Sequence, residues 1–209
     1  MASRAHEVHD GLTGRSDIDD AAVVAARAFQ TDPFFEHLAP PSMLRARGLA
    51  LYMRAALKNA GPKGRILSVL AEGRICGVAL WVGPGGYPPP ARNQVAQLVG
   101  MVHAFAPRPQ MAPKAYRYVR AIEKAHPHEP MWYLQVLATD PEHQRRGVGA
   151  ALLAPVLADC DEQGLPAYLE TQKFDNLAYY RQHGFALEQT LEPVPGGPSL
   201  WTMVRQPRT

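Results

Sequence analysis

The sequence predicts an α/β or α+β domain with a mixed sheet, and three features lead to it. Two strand–helix connections follow one another between residues 132 and 182, the pattern that joins neighbouring strands through helical crossovers. The β-rich runs Arg65–Glu72 and Arg74–Val82 meet at Glu72-Gly73 and read as an antiparallel hairpin. Helical spacing marks the segments ahead of that hairpin. With 209 residues, 46% of them hydrophobic, the chain fits one domain, 1–209, with a sizeable core.

Taken in order, residues 1–15 mix charges, histidines and glycines and are expected to form a flexible tail. Ser16 with Asp19 three residues on gives a capping-box start. Ile18, Ala22, Ala25 and Phe29 then recur at helical spacing, so 17–30 is a predicted helix with one buried stripe. Thr31 to Leu38 interrupts it, and Phe34 and Phe35 there read either as a packed corner or as a substrate wall beside Asp32 and His37. Ser42 to Asn59 is a second helix, closed by Gly61-Pro62.

After the hairpin, the Pro- and Gly-rich stretch 83–90 is a stiff loop that no sheet interior accommodates. Helical patches follow at Asn93–Phe105 and Pro113–Ala125. The strand Trp132–Thr139 leads through a loop into a helix that carries Val148, Leu152, Val156 and Cys160 on one line. Pro155 removes a hydrogen bond inside that helix, and Gly164 with Leu165-Pro166 ends it. Ala167–Thr171 reads as a strand, Asp175–Gln182 as a short helix, and Phe185–Leu191 with Ser199–Arg205 as a closing strand pair.

A net charge of +3 without a basic stripe argues against a nucleic-acid partner. The N-terminus lacks the apolar run of a signal peptide, and no stretch approaches the ~20 apolar residues of a membrane span. The two cysteines, Cys76 and Cys160, make no disulfide framework and read as buried thiols of a cytoplasmic protein. His126 and His128 with Glu129 lack a further ligand at metal spacing, so no metal is expected.

The chemistry concentrates in Asp140-Pro-Glu-His-Gln144-Arg145-Arg146-Gly147-Val148-Gly149-Ala150. Gly147 and Gly149 carry no side chain, and the first helical turn has unpaired N–H groups and the positive end of the helix dipole. Arg145 and Arg146 add fixed charge. Such a loop serves either a tight turn or a pyrophosphate. No Gly-Lys-Ser/Thr follows, which excludes a Walker loop, and a dinucleotide fingerprint fails at Leu152.

Gln144-Arg-Arg-Gly-Val-Gly149 resembles the acyl-CoA loop of the GCN5-related N-acetyltransferases (GNAT), and Asn176-Leu-Ala-Tyr179-Tyr180-Arg-Gln-His-Gly184-Phe185 resembles their tyrosine-bearing segment. Trp132-Tyr133-Leu134, residues 165–171 and His183-Gly184-Phe185 point to the puromycin N-acetyltransferase-like branch. The resemblance covers roughly residues 130–190. It implies a mostly antiparallel mixed sheet flanked by helices, with residues 84–130 as a helical insert between the third and fourth strands. The implied activity is direct acetyl transfer from acetyl-CoA to a primary amine of a small molecule. Homodimers are common among resembling proteins.

The resemblance also distributes roles. Backbone groups of Leu137, Ala138 and Thr139 would pair with the pantetheine arm, with Leu137 best placed to polarise the thioester carbonyl. Gln144, Arg145, Arg146, Gly147, Val148, Gly149 and Ala150 would hold the pyrophosphate, and Asn176 would reach the pantetheine. Tyr180, four residues before Gly184, is the implied general acid; a phenol near pKa 10 stays protonated at neutral pH. Tyr179 competes only if the helix turns by about a third of a turn.

Glu170, on the strand face of Tyr168, is the first choice of general base, with Asp32 and His37 next. Phe34 and Phe35 would line the acceptor site. Gln135 stands where some relatives carry a catalytic glutamate, and Met131 where some carry a histidine; an amide takes no proton, so Gln135 can only orient water or substrate. Competing readings are an acyl-CoA sensor without turnover, and a transferase for a longer acyl group or a hydroxyl acceptor.

Overall fold

The computed structural model describes residues 6–12, 15–39, 42–95 and 109–208. Its elements are β1 (Val8–Asp10), α1 (Arg15–Ala28), α2 (Pro33–Leu38), α3 (Ser42–Lys58), β2 (Gly64–Ala71), β3 (Arg74–Val82), α4 (Ala112–Ala125), β4 (Trp132–Thr139), α5 (Val148–Gln163), β5 (Ala167–Thr171), α6 (Asp175–Gln182), β6 (Ala186–Leu191) and β7 (Leu200–Arg205). A seven-stranded sheet runs in the order β1-β2-β3-β4-β5-β7-β6. The β4–β5 pair is parallel and the other pairs are antiparallel.

The β2–β3 hairpin turns where expected. Glu72 and Gly73 both have positive φ, 52° and 74°, which matches the twist of the flanking strands. The expectation of a flexible tail over 1–15 fails at 8–10. Val8 pairs with Val69 and Asp10 with Leu67, so these residues add an edge strand too short to show a period in sequence. Helix α1 begins at Arg15, which places Ser16 inside the helix and not at its cap. The interruption after α1 contains a helix of its own: Asp32 caps α2 by accepting from the Phe34 N–H at 3.0 Å.

Both faces of the sheet are covered. Val148, Leu152, Leu153, Val156 and Cys160 of α5 pack on Leu67, Val69, Ala79 and Trp81. On the opposite face, Ala21, Ala22, Ala25 and Ala26 of α1 join Leu49, Met53 and Leu57 of α3 against Val78, Leu80, Val136 and Ala138. The small α1 residues let that helix lie close to the strands. Both cysteines are free and buried, and burial pushes the Cys160 thiol up to about 12. The expected insert lies between β3 and β4: residues 91–95 are helical and α4 follows, while the remainder of Asn93–Phe105 lies outside the described residues.

Two irregularities in β4 prepare the site. Its pairing with β5 ends at Leu134↔Leu169, so the strands part beyond that point. Its pairing with β3 slips between Leu80↔Val136 and Trp81↔Leu134, leaving Gln135 as a bulge. In a regular strand Leu134 and Val136 would share a face. Here Leu134 packs toward α5 and Val136 toward α1 and α3.

Candidate active site

Where β4 and β5 part, a cavity of about 630 Å³ opens. Leu137, Thr139, Gln144, Arg145, Gly147, Val148, Gly149 and Ala150 line one end, and Glu170, Asn176, Tyr179 and Tyr180 the other strand and α6. Asp32, Phe34, Phe35 and Gln135 also line it, so most of the residues singled out in the sequence converge. Three do not line it: Ala138 is buried in the core on the α1–α3 face of β4, Arg146 is exposed, and His37 lies apart from the cavity.

The Ala138 result follows from strand geometry. The Asp140 N–H donates to the Cys76 carbonyl at 2.9 Å. By the two-residue alternation of an antiparallel ladder, Ala138 then turns its backbone to Val78, and Leu137 and Thr139 turn theirs to the cleft. One of these groups already has an intramolecular partner, since the Gln144 side chain donates to the Thr139 carbonyl at 3.2 Å. Asn176 is similarly anchored, its amide donating to Thr171 Oγ1 at 3.0 Å.

The loop before α5 is shaped as an anion cradle. Arg145 and Gly147 have φ of 59° and 86°; for arginine that left-handed backbone costs roughly 1–2 kcal/mol. The first helical hydrogen bond runs from Ala151 N–H to the Gly147 carbonyl at 3.0 Å, so the N–H groups of Val148, Gly149 and Ala150 precede the helical ladder. Gly149 has a second role that the sequence does not disclose. A Cβ there would lie 2.6 Å from the Tyr179 hydroxyl, which is buried without a hydrogen-bond partner. Arg27 of α1 holds the loop base, bonding Glu142 at 2.7 Å and lying 3.3 Å from Asp140. His6 Nε2 meets the Arg146 carbonyl at 2.7 Å.

The adjacent tyrosines thus divide. Tyr179 faces the loop. Tyr180 packs on Phe185, ring centroids 5.8 Å apart, and burial, Tyr179 and the charge of Asp32 all raise its hydroxyl above the ordinary phenol range. Asp32 is itself buried, and desolvation lifts its carboxyl to about 6 against the pull of the Phe34 and Phe35 N–H groups and Lys173. Phe34 and Phe35 serve both readings offered for them: they pack edge-to-face at 5.0 Å, Phe34 against Tyr118 and Phe35 against Tyr52, while lining the cavity.

Glu170 lies deeper than a rim carboxylate. Its side chain is 6% exposed, and Oε1 has no hydrogen-bond partner. Tyr52, Tyr87, Tyr133 and Tyr168 surround it; each phenol is raised by burial first and then by the Glu170 charge. His126, from the end of α4, places Nδ1 4.0 Å from Glu170 Oε1. Sequence reasoning weighed His126 only as a metal ligand, because nothing in its Pro-rich surroundings signals a neighbour 44 positions away. Among the described residues no three His, Cys, Asp or Glu side chains converge as metal ligands, and no helix is long and apolar enough to cross a membrane.

The sequence profile described as Acetyltransferase (GNAT) family matches residues 32–185. An uncharacterized N-acetyltransferase of Schizosaccharomyces pombe is 32% identical over 84 residues; the match takes in 37% of this chain and 32% of that protein, so the chain spans about a third of its relative. Among solved structures, the histone acetyltransferase HPA2 and related acetyltransferase of Corynebacterium glutamicum superimposes with a TM-score of 0.71 at 24% identity, covering 99% of this chain and 98% of the other. Arylalkylamine N-acetyltransferase 2 of Aedes aegypti gives 0.55 at 12% identity over 96% and 99% of the two chains. These likenesses establish the fold, a mostly antiparallel mixed sheet flanked by helices, as the sequence led one to expect.

Proposed function

Because this chain belongs to the Acetyltransferase (GNAT) family, we propose that it transfers an acetyl group from acetyl-CoA to the primary amine of a small, largely apolar molecule. The observation that carries this reading is the single cavity joining the anion cradle to two buried carboxylates, Asp32 and Glu170, between aromatic walls. The cradle suits a pyrophosphate: its N–H groups precede the helical ladder, and Arg145 stands beside them. The free backbone edge at Leu137 suits the pantetheine amides. Acetyl-CoA supplies a thioester that is already reactive.

The protein's own part is positioning and proton handling. Glu170 accepts a proton from the entering ammonium. Tyr180 donates one from its hydroxyl to the departing thiolate, a role suited to a phenol that burial keeps protonated, and is reprotonated by the second proton that the nitrogen sheds as the amide forms. The Leu137 N–H lies on the cleft side of β4, where it can stabilise negative charge on the carbonyl oxygen. Phe29, Phe34, Phe35, Tyr52 and Met53 form the wall against which the body of the acceptor packs. Such a wall favours an amine with an aryl or alkyl body over a polycation.

Calorimetry with acetyl-CoA, followed by thiol-release assays over a panel of primary amines, tests the reading. Micromolar binding and turnover with arylalkyl amines support it. Saturable binding without transfer to any amine would leave an acyl-CoA sensor. Turnover with longer acyl-CoAs or alcohols in preference to acetyl-CoA and amines would reassign the reaction.

A further inference from the structure

On the acetyl-transfer reading, one proton must leave the protein in each turnover: an ammonium and a thioester become an amide, a thiol and a proton. Both reactants would occupy the first cavity while Glu170 is in use, so a path leading away from it would keep the departing proton clear of them. A second cavity, about 430 Å³, lies beyond the aromatic cluster. Its lining includes Tyr87, Glu123, His126, His128, Glu129 and Tyr133, of which Glu123, His128 and Glu129 are exposed. It therefore reaches the surface. Glu170 lines the first cavity and His126 the second.

The two side chains meet in the wall between the cavities. Glu170 and His126 are 6% and 7% exposed, and Glu170 Oε1 and His126 Nδ1, 4.0 Å apart, each lack a hydrogen-bond partner. Two buried, unpartnered polar atoms facing each other carry a desolvation cost that a packed core would shed. The imidazole is held in place by rings: Tyr87 at 3.9 Å, Tyr133 at 4.9 Å and Tyr168 at 4.9 Å between centroids.

We propose that His126 relays the acceptor's proton from Glu170 to water in the second cavity. The ammonium N–H bond breaks as a Glu170 O–H bond forms. Glu170 then passes the proton to His126 Nδ1, and the imidazolium releases one from Nε2 to solvent. Glu170 is restored at once, and His126, left with its proton on Nδ1, returns to the Nε2–H tautomer by proton exchange with water of the second cavity before the next turnover. The 4.0 Å separation closes by a modest side-chain rotation or is bridged by one water. The titratable groups facing this path are Glu170 and Tyr168 of β5, Tyr52 of α3, Tyr133 of β4, Tyr87 of the insert loop, Glu123 on the helix that leads to His126, and His128 and Glu129 at the mouth. The buried phenols stay protonated and leave the imidazole as the group able to carry the proton outward.

The test follows thiol release from acetyl-CoA with phenethylamine as acceptor in the wild type, His126→Gln and His126→Asn, across pH and with added imidazole. Acetyl-CoA affinity, measured in parallel, confirms that each variant is folded. The relay predicts a loss in kcat of tenfold or more near neutral pH, on the order expected for an acid–base group. That loss should shrink as pH rises toward the acceptor's own pKa and be partly restored by imidazole. An unchanged kcat, or a loss that neither pH nor imidazole relieves, overturns the relay and leaves acetyl transfer standing. A wild type that binds acetyl-CoA and transfers to no amine overturns both.

Discussion

Tyr180 and Asp32 share one cavity, and the Asp32 charge bears on the Tyr180 hydroxyl, yet burial moves the two groups to opposite uses. Tyr180, raised above the ordinary phenol range, remains a proton donor at every working pH. Tyr180→Phe should lower kcat by about 10²-fold while acetyl-CoA affinity, measured by calorimetry, changes little; equal losses in both would remove it as the acid. Asp32 is lifted to about 6 from an ordinary value of 3.8, so between those values the folded protein binds more protons than the unfolded chain. Its contribution to stability therefore falls as pH rises through that window, by about 3 kcal/mol from the shift alone. Asparagine caps a helix about as well as aspartate. Asp32→Asn should thus be more stable than wild type at pH 7.5 by about 1–3 kcal/mol, and the advantage should vanish near pH 4; urea denaturation at both values decides it. If Asp32 also attracts the ammonium, acceptor KM falls in the wild type as pH rises through about 6 and stays level in the variant.

Among the elements, α5 sets the position of the anion cradle, and β3 sets the position of α5. A Cβ on Gly77 would collide with Val148 Cγ1 and lie 3.1 Å from Leu152 Cδ1, both on the first turns of that helix. Gly77→Ala should push the helix start outward, costing about 1–3 kcal/mol of stability and weakening acetyl-CoA binding together. Stability lost with binding intact would show that the cradle does not depend on this contact. At the other side of the same turn, Gly149→Ala should weaken binding through its clash with Tyr179. Adding Tyr179→Phe should recover part of the loss, because the hydroxyl is the atom 2.6 Å from the new methyl; no recovery would mean that the methyl blocks the anion itself. Helix α5 was legible because its apolar line and its Gly-rich entry are local. The bulge at Gln135 was not, since it is defined by the register against β3 and carries no residue of unusual type.

At the scale of the molecule, the last strand pair is fastened to α5 by Arg205, 4% exposed, which pairs with both Asp161 oxygens at 2.8 and 2.7 Å. The Arg208 N–H also donates to Asp161. These bonds hold the Asp161 carboxyl at about 2, below the ordinary 3.8. Its stabilising effect is complete above pH 4 and is lost as pH falls toward 2. Asp161→Asn should therefore flatten the acid limb of a thermal-stability profile between those values; an unaltered limb would show that other carboxylates govern acid unfolding.

Local pattern fixed most element boundaries, the anion loop and the tyrosine segment, because period, glycine and proline act within a few residues of where they stand. What folding alone decided is which groups meet. In the sequence Glu170 is the first choice of general base but stands without a partner, and His126 is one histidine in a loop. They become a buried pair because the parallel strands part after Leu134 and because the insert returns α4 over the gap. Burial and proximity across long stretches of chain are properties of packing, and no local spacing encodes them.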